Sequence, residues 1–257
     1  MNWLTRVSGL WRVARRRAAS EQDYLAFQAY QARWLIDYLA EHDVALSGRR
    51  LLDLGSGVGG YSLEFARAGA RVITVDLMQP LRAEAQDLSV KQVRGDALRV
   101  PLKTASCDIV FCASLIEHVR YPEQLLAEIE RVLKPGGQAY VSFPPYYSPP
   151  GGHEFAPFHY LGERMALKLV PRRRVVADWV KSMYAANDDA ASFGELYAGW
   201  GLYRMTIGKM RRLIAASDLR CEDMSTRYLP LSAIRWPLLN EVLTWHAQFL
   251  LRKPANP

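Results

Sequence analysis

The sequence predicts an α/β protein in which a mostly parallel sheet carries helices on both faces, and three observations lead to this prediction. From Arg49 onward, runs of strand-forming residues alternate with helical stretches, as in successive β-α units. A glycine-rich turn directly follows the first of these runs. After an interruption at residues 144–205, the alternation of helix and strand returns and continues almost to the C-terminus.

The predicted elements divide the chain into four regions. Strands are predicted at residues 50–54, 71–75, 91–95, 107–112, 138–143, 219–228 and 244–252, and helices at 3–17, 21–44, 60–68, 123–133 and 205–217. The residues Leu133-Lys134-Pro135-Gly136-Gly137 predict a helix stop and a turn before the fifth strand. We therefore expect an N-terminal helical extension (1–44), a core (45–143), an insertion that forms a lid after strand five (144–205) and a C-terminal part of the domain (206–257).

The positive charge is concentrated at one end of the chain. The formal net charge is +7, and residues 1–19 contain five arginines and no acid. A nucleic-acid enzyme usually spreads basic residues over its working face, so we predict that nucleic acid is not the partner. The three cysteines form an odd set without metal-ligand spacing, which is typical of a reducing cytosol.

Residues 3–17 are amphipathic, with tryptophans on the apolar side and arginines on the other. Three interpretations stay open: a helix on a membrane surface, a helix packed on its own domain, or a cleaved organelle presequence. No apolar run reaches the roughly 20 residues that a membrane span needs, and no secretory signal is evident. We expect a cytoplasmic protein, with peripheral membrane contact as one of the open alternatives.

The most informative segment is residues 51–60, Leu51-Leu52-Asp53-Leu54-Gly55-Ser56-Gly57-Val58-Gly59-Gly60, an apolar strand that runs into a glycine-rich turn. Glycines permit a tight turn and let a ligand approach the backbone closely. The same spacing matches the dinucleotide pattern G-x-G-x-x-G, and Asp76 fits a ribose-binding acid in either case. This segment alone therefore leaves a nicotinamide dinucleotide and another nucleoside cofactor equally open.

Further residues favour S-adenosylmethionine over a dinucleotide. Asp53, two residues before the first glycine, suits a positively charged amino-acid group and not a pyrophosphate. Gly95-Asp96-Ala97 ends the third strand and places a carboxylate where an adenine amino group can donate to it. Ser114 and the run Glu117-His118-Val119 then follow the fourth strand.

Together, in this order and spacing, these motifs resemble the class I S-adenosylmethionine-dependent methyltransferases of the type 11 family. The resemblance covers residues 45–143 well and the rest of the chain loosely or hardly at all. It implies a Rossmann-like sheet of seven strands with the last strand antiparallel, and S-adenosylmethionine as the cofactor. The cofactor-binding residues are then expected to be Asp53, Gly55, Ser56, Gly57, Asp76, Leu77, Asp96, Ala97 and Ser114.

A methyltransferase must chiefly align the attacking atom, and a hydroxyl acceptor must also lose its proton to a base. The candidate catalytic residues are His118, His153 and His159, although His118 also fits a positional role and residues 149–160 also fit a rigid aromatic loop. The plain interpretation of Glu117 is a local cap or ion pair. The chain lacks an evident second set of carboxylates to converge with Asn187-Asp188-Asp189, so we expect no metal ion.

The expected function is methyl transfer, by in-line displacement, to a small-molecule, lipid or lipid-linked glycan acceptor, with oxygen the expected methylated atom. The apolar insertion and C-terminal part, including residues 229–231 and 238–239, favour a hydrophobic acceptor. Two rival functions stay open: a nicotinamide-dependent oxidoreductase, and a non-catalytic partner protein that binds S-adenosylmethionine. The acceptor's identity and the oligomeric state are not predicted from the sequence.

Overall fold

The structure is a computed structural model that describes residues 3–77, 90–170, 178–228, 232–237 and 239–255. The predicted apolar stretch at residues 229–231, and residue 238, lie outside the described residues.

Seven strands form one sheet in the order β3-β2-β1-β4-β5-β7-β6. The strands are β1 (Arg50–Leu54), β2 (Arg71–Asp76), β3 (Lys91–Arg94), β4 (Cys107–Ala113), β5 (Leu133–Phe143), β6 (Arg220–Thr226) and β7 (Ala247–Arg252). β1 pairs in parallel with β2 and with β4, β2 pairs in parallel with β3, and β6 and β7 are antiparallel. The predicted seven-stranded, mostly parallel sheet is therefore confirmed.

The sheet order changes direction at β1, which is paired with β2 on one side and β4 on the other. In open α/β sheets, ligands bind beyond the carboxyl ends of the strands at such a switch point. β1 and β4 are nearly continuous apolar runs and almost wholly buried, as expected for central parallel strands. Asp53 is the buried charged residue of β1, whereas Arg50 at the start of the strand is exposed.

The described helices are α1 (Trp3–Arg16), α2 (Glu21–Glu41), α3 (Gly60–Arg67), α4 (Pro122–Val132), α5 (Glu163–Leu169), α6 (Asp178–Tyr184), α7 (Ile207–Ala215) and α8 (Asn240–Leu243). Two of them begin at side-chain caps that the sequence supplies. Ser20 accepts the backbone N–H of Asp23 before α2, and Thr206 accepts that of Lys209 before α7, each at 3.0 Å.

One predicted boundary is wrong. We expected a turn at residues 133–137 before the fifth strand, whereas β5 begins at Leu133. The backbone N–H of Gly136 donates to the carbonyl of Lys253, and that of Lys253 donates to Gly137, both at 2.9 Å. These long-range hydrogen bonds pair the two glycines with Lys253, with Gly136 at a φ angle of 77°, and local turn preference did not reveal them.

The chain forms two compact units. The first comprises residues 1–111, 128–139 and 253–257. In this unit α2 and α3 approach closely at Gly60, where an added Cβ would lie 2.5 Å from both the Gln28 side chain and the Leu25 carbonyl oxygen. The Gln28 side chain also accepts the Gly60 N–H at 3.0 Å. Gly60 therefore fixes the start of α3, the helix that opens after the glycine-rich turn.

The second unit comprises residues 112–127 and 140–252, and so contains the predicted lid. The lid residues have their own apolar core, made of Tyr146, Phe155, Ala166, Val170, Phe193, Leu196 and Leu202. Residues 144–205 are thus a packed part of this unit and not a plain loop. The four-region division of the chain stays a prediction.

Helix α1 is both packed and exposed. The Tyr30 hydroxyl of α2 donates to the Arg6 carbonyl at 3.1 Å, and Arg6 forms an ion pair with Asp37. On another side of α1, Trp3, Leu4 and Trp11 are 40%, 69% and 61% exposed. Within the described residues, no helix is long and apolar enough to cross a membrane.

Candidate functional site

The glycine-rich turn after β1 is held by two hydrogen bonds from its backbone N–H groups, one to the backbone and one to a side chain of β2. The Gly55 N–H donates to the Val75 carbonyl at 2.8 Å, and the Gly57 N–H donates to Oδ2 of Asp76 at 2.9 Å. Gly55 and Gly57 have φ angles of 77° and 55°, in the left-handed region that glycine adopts without strain. The sequence therefore needs glycine at these positions to bring the turn against the end of β2.

Asp53 lies beneath this turn and is 2% exposed. Its carboxylate accepts the hydroxyl hydrogen of Ser62 from α3. Burial raises the pKa of Asp53 to about 7, a shift that the Ser62 hydrogen bond opposes and the neighbouring Asp76 carboxylate reinforces. A cation bound beside Asp53 would offset this cost, because it favours the ionised carboxylate.

Ser56 supplies a test of the expected cofactor. Its Oγ is buried and has no hydrogen-bond partner among the described residues. Two carboxylates and this open hydroxyl suit a ligand with an ammonium group, a carboxylate and sugar hydroxyls, which are the groups of the amino-acid and ribose ends of S-adenosylmethionine. Ionised Asp53, close to the turn, would repel a pyrophosphate, whereas Asp76 suits a ribose in either cofactor. The residues present therefore fit S-adenosylmethionine.

The loop after β3 lies against the end of β2. The Gly95 N–H donates to the Asp76 carbonyl at 3.0 Å, and Nε of Arg94 donates to the Leu77 carbonyl at 2.9 Å. Asp96 is exposed and accepts the Leu98 N–H at 2.8 Å, while Ala97 is buried. The described contacts thus bring the predicted residues of the first unit to neighbouring strand ends, although their binding roles stay predictions.

Ser114 belongs to the second unit and follows β4 directly. It is exposed, has a φ angle of 53°, and its N–H donates to the Ser142 carbonyl at 2.8 Å. Its predicted place beside the cofactor stays a prediction.

Three residues later, a buried carboxylate meets two imidazoles. Oε1 of Glu117 lies 4.0 Å from Nε2 of His118 and 3.8 Å from Nε2 of His153. The two imidazole rings are edge to face, with centroids 4.8 Å apart. We call Glu117, His118 and His153 the Glu-His-His cluster.

The backbone of residues 201–203 holds the first two members of the cluster. Nδ1 of His118 lies 2.8 Å from the Gly201 carbonyl, which can only accept, so Nδ1 carries the hydrogen. The Gly201 N–H donates to the His118 carbonyl at 3.2 Å, and the Tyr203 N–H donates to that of Glu117 at 2.7 Å. This arrangement leaves the Nε2 lone pair of His118 facing the other two members.

Burial sets the protonation states in the cluster. It raises the pKa of Glu117 to about 8 and lowers the pKa of His118 to about 3, with the neighbouring His153 adding to the second shift. His118 is therefore neutral at neutral pH and too weak a base to carry a proton efficiently. Its geometry favours the positional role that the sequence left open.

The third predicted histidine lies elsewhere in the second unit. His159 is buried, and its Nε2 donates to the Tyr146 carbonyl at 3.0 Å. Its ring fills the space beside Gly152, where an added Cβ would come within 2.2 Å of it. These contacts serve the packing of the lid residues, and the catalytic role of His159 stays a prediction.

The sequence interpretation missed Glu117. We expected a local cap or ion pair, whereas both carboxylate oxygens are buried and lack a hydrogen-bond partner in the described part of the chain. Its position after an apolar strand and before His118 was a usable signal, because an acid there follows the carboxyl end of a central strand. The aromatic wall beside it, where Trp200 meets His118 edge to face at 4.7 Å and stacks on Tyr197, had no local signal.

The raised pKa of Asp53 predicts how its replacement changes stability with pH. Because the folded-state pKa of about 7 exceeds the ordinary value of 3.8, the folded protein keeps this proton longer than the unfolded chain. The wild type therefore loses stability as the pH rises between these two values, and the loss persists above them. Asp53→Asn removes the loss, so its melting temperature relative to wild type should rise by several degrees from pH 5 to pH 8.

Thermal unfolding followed by circular dichroism at pH 5, 6, 7 and 8 measures this difference. The matched control is Asp43→Asn, which changes an exposed carboxylate and should show no such trend. A difference between Asp53→Asn and wild type that stays constant across this range would contradict the prediction.

The sequence and the fold of this chain resemble those of known methyltransferases. Residues 52–141 match a family model described as a methyltransferase domain. An uncharacterized methyltransferase of Mycobacteroides abscessus is 37% identical over 138 residues, 51% of this chain and 53% of that protein. One from Mycobacterium avium is 29% identical over 222 residues, 78% of this chain and 87% of that protein.

The first of these matches thus spans about half the length of the relative. Among solved structures, the S-adenosylmethionine-dependent methyltransferase of Mesorhizobium loti shares the fold, with a TM-score of 0.53 and 19% identity over 81% of this chain and 92% of that one. Residues 52–141 thus belong to the methyltransferase domain family, and the seven-stranded sheet has the fold of S-adenosylmethionine-dependent methyltransferases.

Proposed function

We propose that this protein transfers a methyl group from S-adenosylmethionine to a hydroxyl oxygen of a hydrophobic acceptor, such as a lipid, a quinone-like molecule or a lipid-linked glycan. The observation that carries the proposal is the Glu-His-His cluster, a buried group of one carboxylate and two imidazoles in the second unit. A hydroxyl needs such acceptor groups, because it must lose a proton as its oxygen is methylated.

The residues of the glycine-rich turn would hold the cofactor. Asp53 and Ser56 suit its amino-acid end, Asp76 its ribose hydroxyls, and Asp96 and Ala97 its adenine. When bound, S-adenosylmethionine supplies a methyl group that its positive sulfur makes electrophilic. The bond from acceptor oxygen to methyl carbon forms as the sulfur–carbon bond breaks, and the electron pair stays on sulfur in adenosylhomocysteine.

The acceptor would bind in the second unit, with its hydroxyl at the cluster. Ser114, which the family resemblance places beside the cofactor, is only three residues before Glu117 in the chain. The hydroxyl hydrogen would pass to His153, whose half-buried ring lies nearest the Glu117 carboxylate. His118, neutral and tied to Gly201, would orient the hydroxyl through its Nε2 lone pair.

Exposed apolar side chains support a hydrophobic acceptor. In the second unit they lie in two segments of the chain, the lid and the C-terminal part: Phe158, Tyr160, Leu161, Met165, Leu169, Trp236, Leu239, Val242, Leu243 and Trp245. Contiguous exposed apolar surface commonly marks a contact with an apolar ligand or a membrane. Trp3, Leu4 and Trp11 of α1 add exposed apolar groups beside five arginines, a composition that suits an anionic membrane surface.

The first prediction concerns the transfer itself. With methyl-labelled S-adenosylmethionine, the protein should label a component of an organic-solvent extract of cells and not of the aqueous fraction. The labelled group should survive mild base, because a methyl ether is stable where a methyl ester is cleaved. His153→Ala should lower kcat by roughly 100-fold or more while adenosylhomocysteine affinity stays within about twofold of wild type, since general-base catalysis supplies about 10²–10⁴.

His42→Ala is the matched control, because His42 is a partly buried histidine on the first unit and should leave kcat unchanged. Label found only in base-labile or aqueous products would contradict the proposed acceptor. An unchanged kcat in His153→Ala would contradict the role of the cluster. Cofactor binding without transfer to any fraction would favour the non-catalytic alternative.

The second prediction concerns peripheral membrane contact. The full chain should float with vesicles of phosphatidylcholine and phosphatidylglycerol. Replacing Trp3 and Trp11 together by serine should weaken this binding by at least roughly tenfold, because two aromatic rings no longer enter the lipid interface. The variant keeps all five arginines, so the comparison isolates the apolar contribution.

Tyr121→Ser removes an exposed aromatic side chain outside α1 and serves as the control. Equal flotation of wild type and the double variant, or no flotation of either, would exclude α1 as the membrane contact.

A further inference from the structure

We propose that Glu117, His118 and His153 form a binding site for one divalent transition-metal ion. The positions of the three side chains support the metal site directly, and only the effect of the ion on the acceptor hydroxyl rests on the proposed function. This proposal differs from the sequence-based prediction, which was that the protein holds no metal ion.

Three atoms that can bind a metal ion converge in the Glu-His-His cluster. One carboxylate oxygen and two imidazole nitrogens, one from each residue, all lie within 4.8 Å of one another. Ligands at about 2.0–2.2 Å around a tetrahedral ion are roughly 3.4 Å apart. The Glu117 to His118 and Glu117 to His153 distances of 4.0 and 3.8 Å exceed this by only a few tenths of an ångström. The widest of the three separations is up to 4.8 Å, so side-chain rotations must draw the ligand atoms together by up to about 1.4 Å to complete the site.

The Glu117 carboxylate is buried without a hydrogen-bond donor among the described residues. The residue is 2% exposed, and neither carboxylate oxygen has a hydrogen-bond partner among the described residues. Burying a carboxylate without a partner is costly, and buried charges in proteins are normally paired or coordinate metals. The two groups facing it, His118 and His153, are the imidazoles that complete the metal ligand set. A bound cation supplies the missing partner of the carboxylate.

The imidazole of His118 is oriented as in metal-binding histidines. Metal-binding histidines almost always donate their other ring N–H to a carbonyl or carboxylate, which fixes the tautomer and the ring direction. Nδ1 of His118 donates to the Gly201 carbonyl at 2.8 Å, which leaves Nε2 as the free ligand atom. The Trp200 ring packs edge to face on the imidazole and restricts its rotation further.

The ligand set indicates the class of metal. Two imidazoles with one carboxylate are typical of zinc, iron(II), cobalt or manganese, whereas magnesium and calcium prefer oxygen ligands alone. Three protein ligands leave at least one open coordination position. A hydroxyl oxygen of the acceptor bound there would release its proton more readily, since metal binding lowers the pKa of a bound hydroxyl. His153 would then serve as a ligand and not as a base, so the proton would pass to solvent.

The test is a titration of the purified full chain with cobalt(II) after removal of metals by a chelator, followed by visible absorption. Wild type should bind one cobalt ion per chain, with the absorption bands of a four- or five-coordinate site, and zinc should displace it. Glu117→Gln and His153→Ala should each weaken cobalt binding by more than the roughly 10- to 100-fold that loss of a supporting hydrogen bond costs.

Two controls keep the result specific. His42 also hydrogen-bonds a backbone carbonyl through Nδ1, that of Tyr38 at 2.9 Å, but belongs to no ligand cluster in the described ranges. Glu154 neighbours His153 and instead accepts the Tyr197 hydroxyl hydrogen at 3.2 Å. His42→Ala and Glu154→Gln should bind cobalt like wild type, and circular dichroism should show all four variants folded.

Wild type that binds no cobalt or zinc, or cluster variants that are folded and bind as wild type does, would overturn the proposal. If one cluster variant fails to fold, the other decides the result. Because the titration uses neither cofactor nor acceptor, metal binding without methyl transfer would refute the proposed function alone, and methyl transfer by metal-free protein would refute only the metal's catalytic role.

Discussion

The burial of two carboxylates is the constraint on which the functional part of this molecule depends. Asp53 is the fourth residue of β1, and Glu117 comes four residues after the end of β4. Burial raises the pKa of both, because a charge loses the solvation that water provides. Each residue is therefore a cost to the folded protein that a positively charged ligand would remove.

The structure fixes the surroundings of both carboxylates through backbone hydrogen bonds. In the first unit, Gly57 donates to Asp76 and Gly55 to Val75, so the turn is set before any ligand arrives. In the second, residues 201–203 hold the Glu117 and His118 backbone. Preorganised polar groups of this kind lose little conformational freedom on binding. The fold thus fixes the backbone around both carboxylates, and residues between 146 and 202 pack around an apolar core of their own.

Sequence periodicity predicted the strands of a mostly parallel sheet, since central parallel strands are continuous apolar runs separated by helices. The antiparallel last strand was expected from the family resemblance alone. The glycine-rich turn and Asp76 were predictable because they are local motifs with a backbone reason. Three features were not predictable from the sequence: the hydrogen bonding of Gly136 with Lys253, the apolar core of residues between 146 and 202, and the environment of Glu117. Each depends on residues that are far apart in sequence. His153 and Gly201 meet the Glu117-His118 pair from 36 and 83 residues away, which no local pattern encodes. For α1 the sequence left open whether the helix packs or is exposed, and the structure shows both.

If the glycine-rich turn holds S-adenosylmethionine, it should also hold the reaction product adenosylhomocysteine, and calorimetric titration measures that binding. Wild type should bind adenosylhomocysteine with a stoichiometry of one and should give no heat with NAD. Asp76→Ala should bind adenosylhomocysteine about 10- to 100-fold more weakly, since hydrogen bonds to a charged carboxylate are worth about 1.5–3 kcal/mol. Folded wild-type protein that binds NAD and not adenosylhomocysteine would contradict the account.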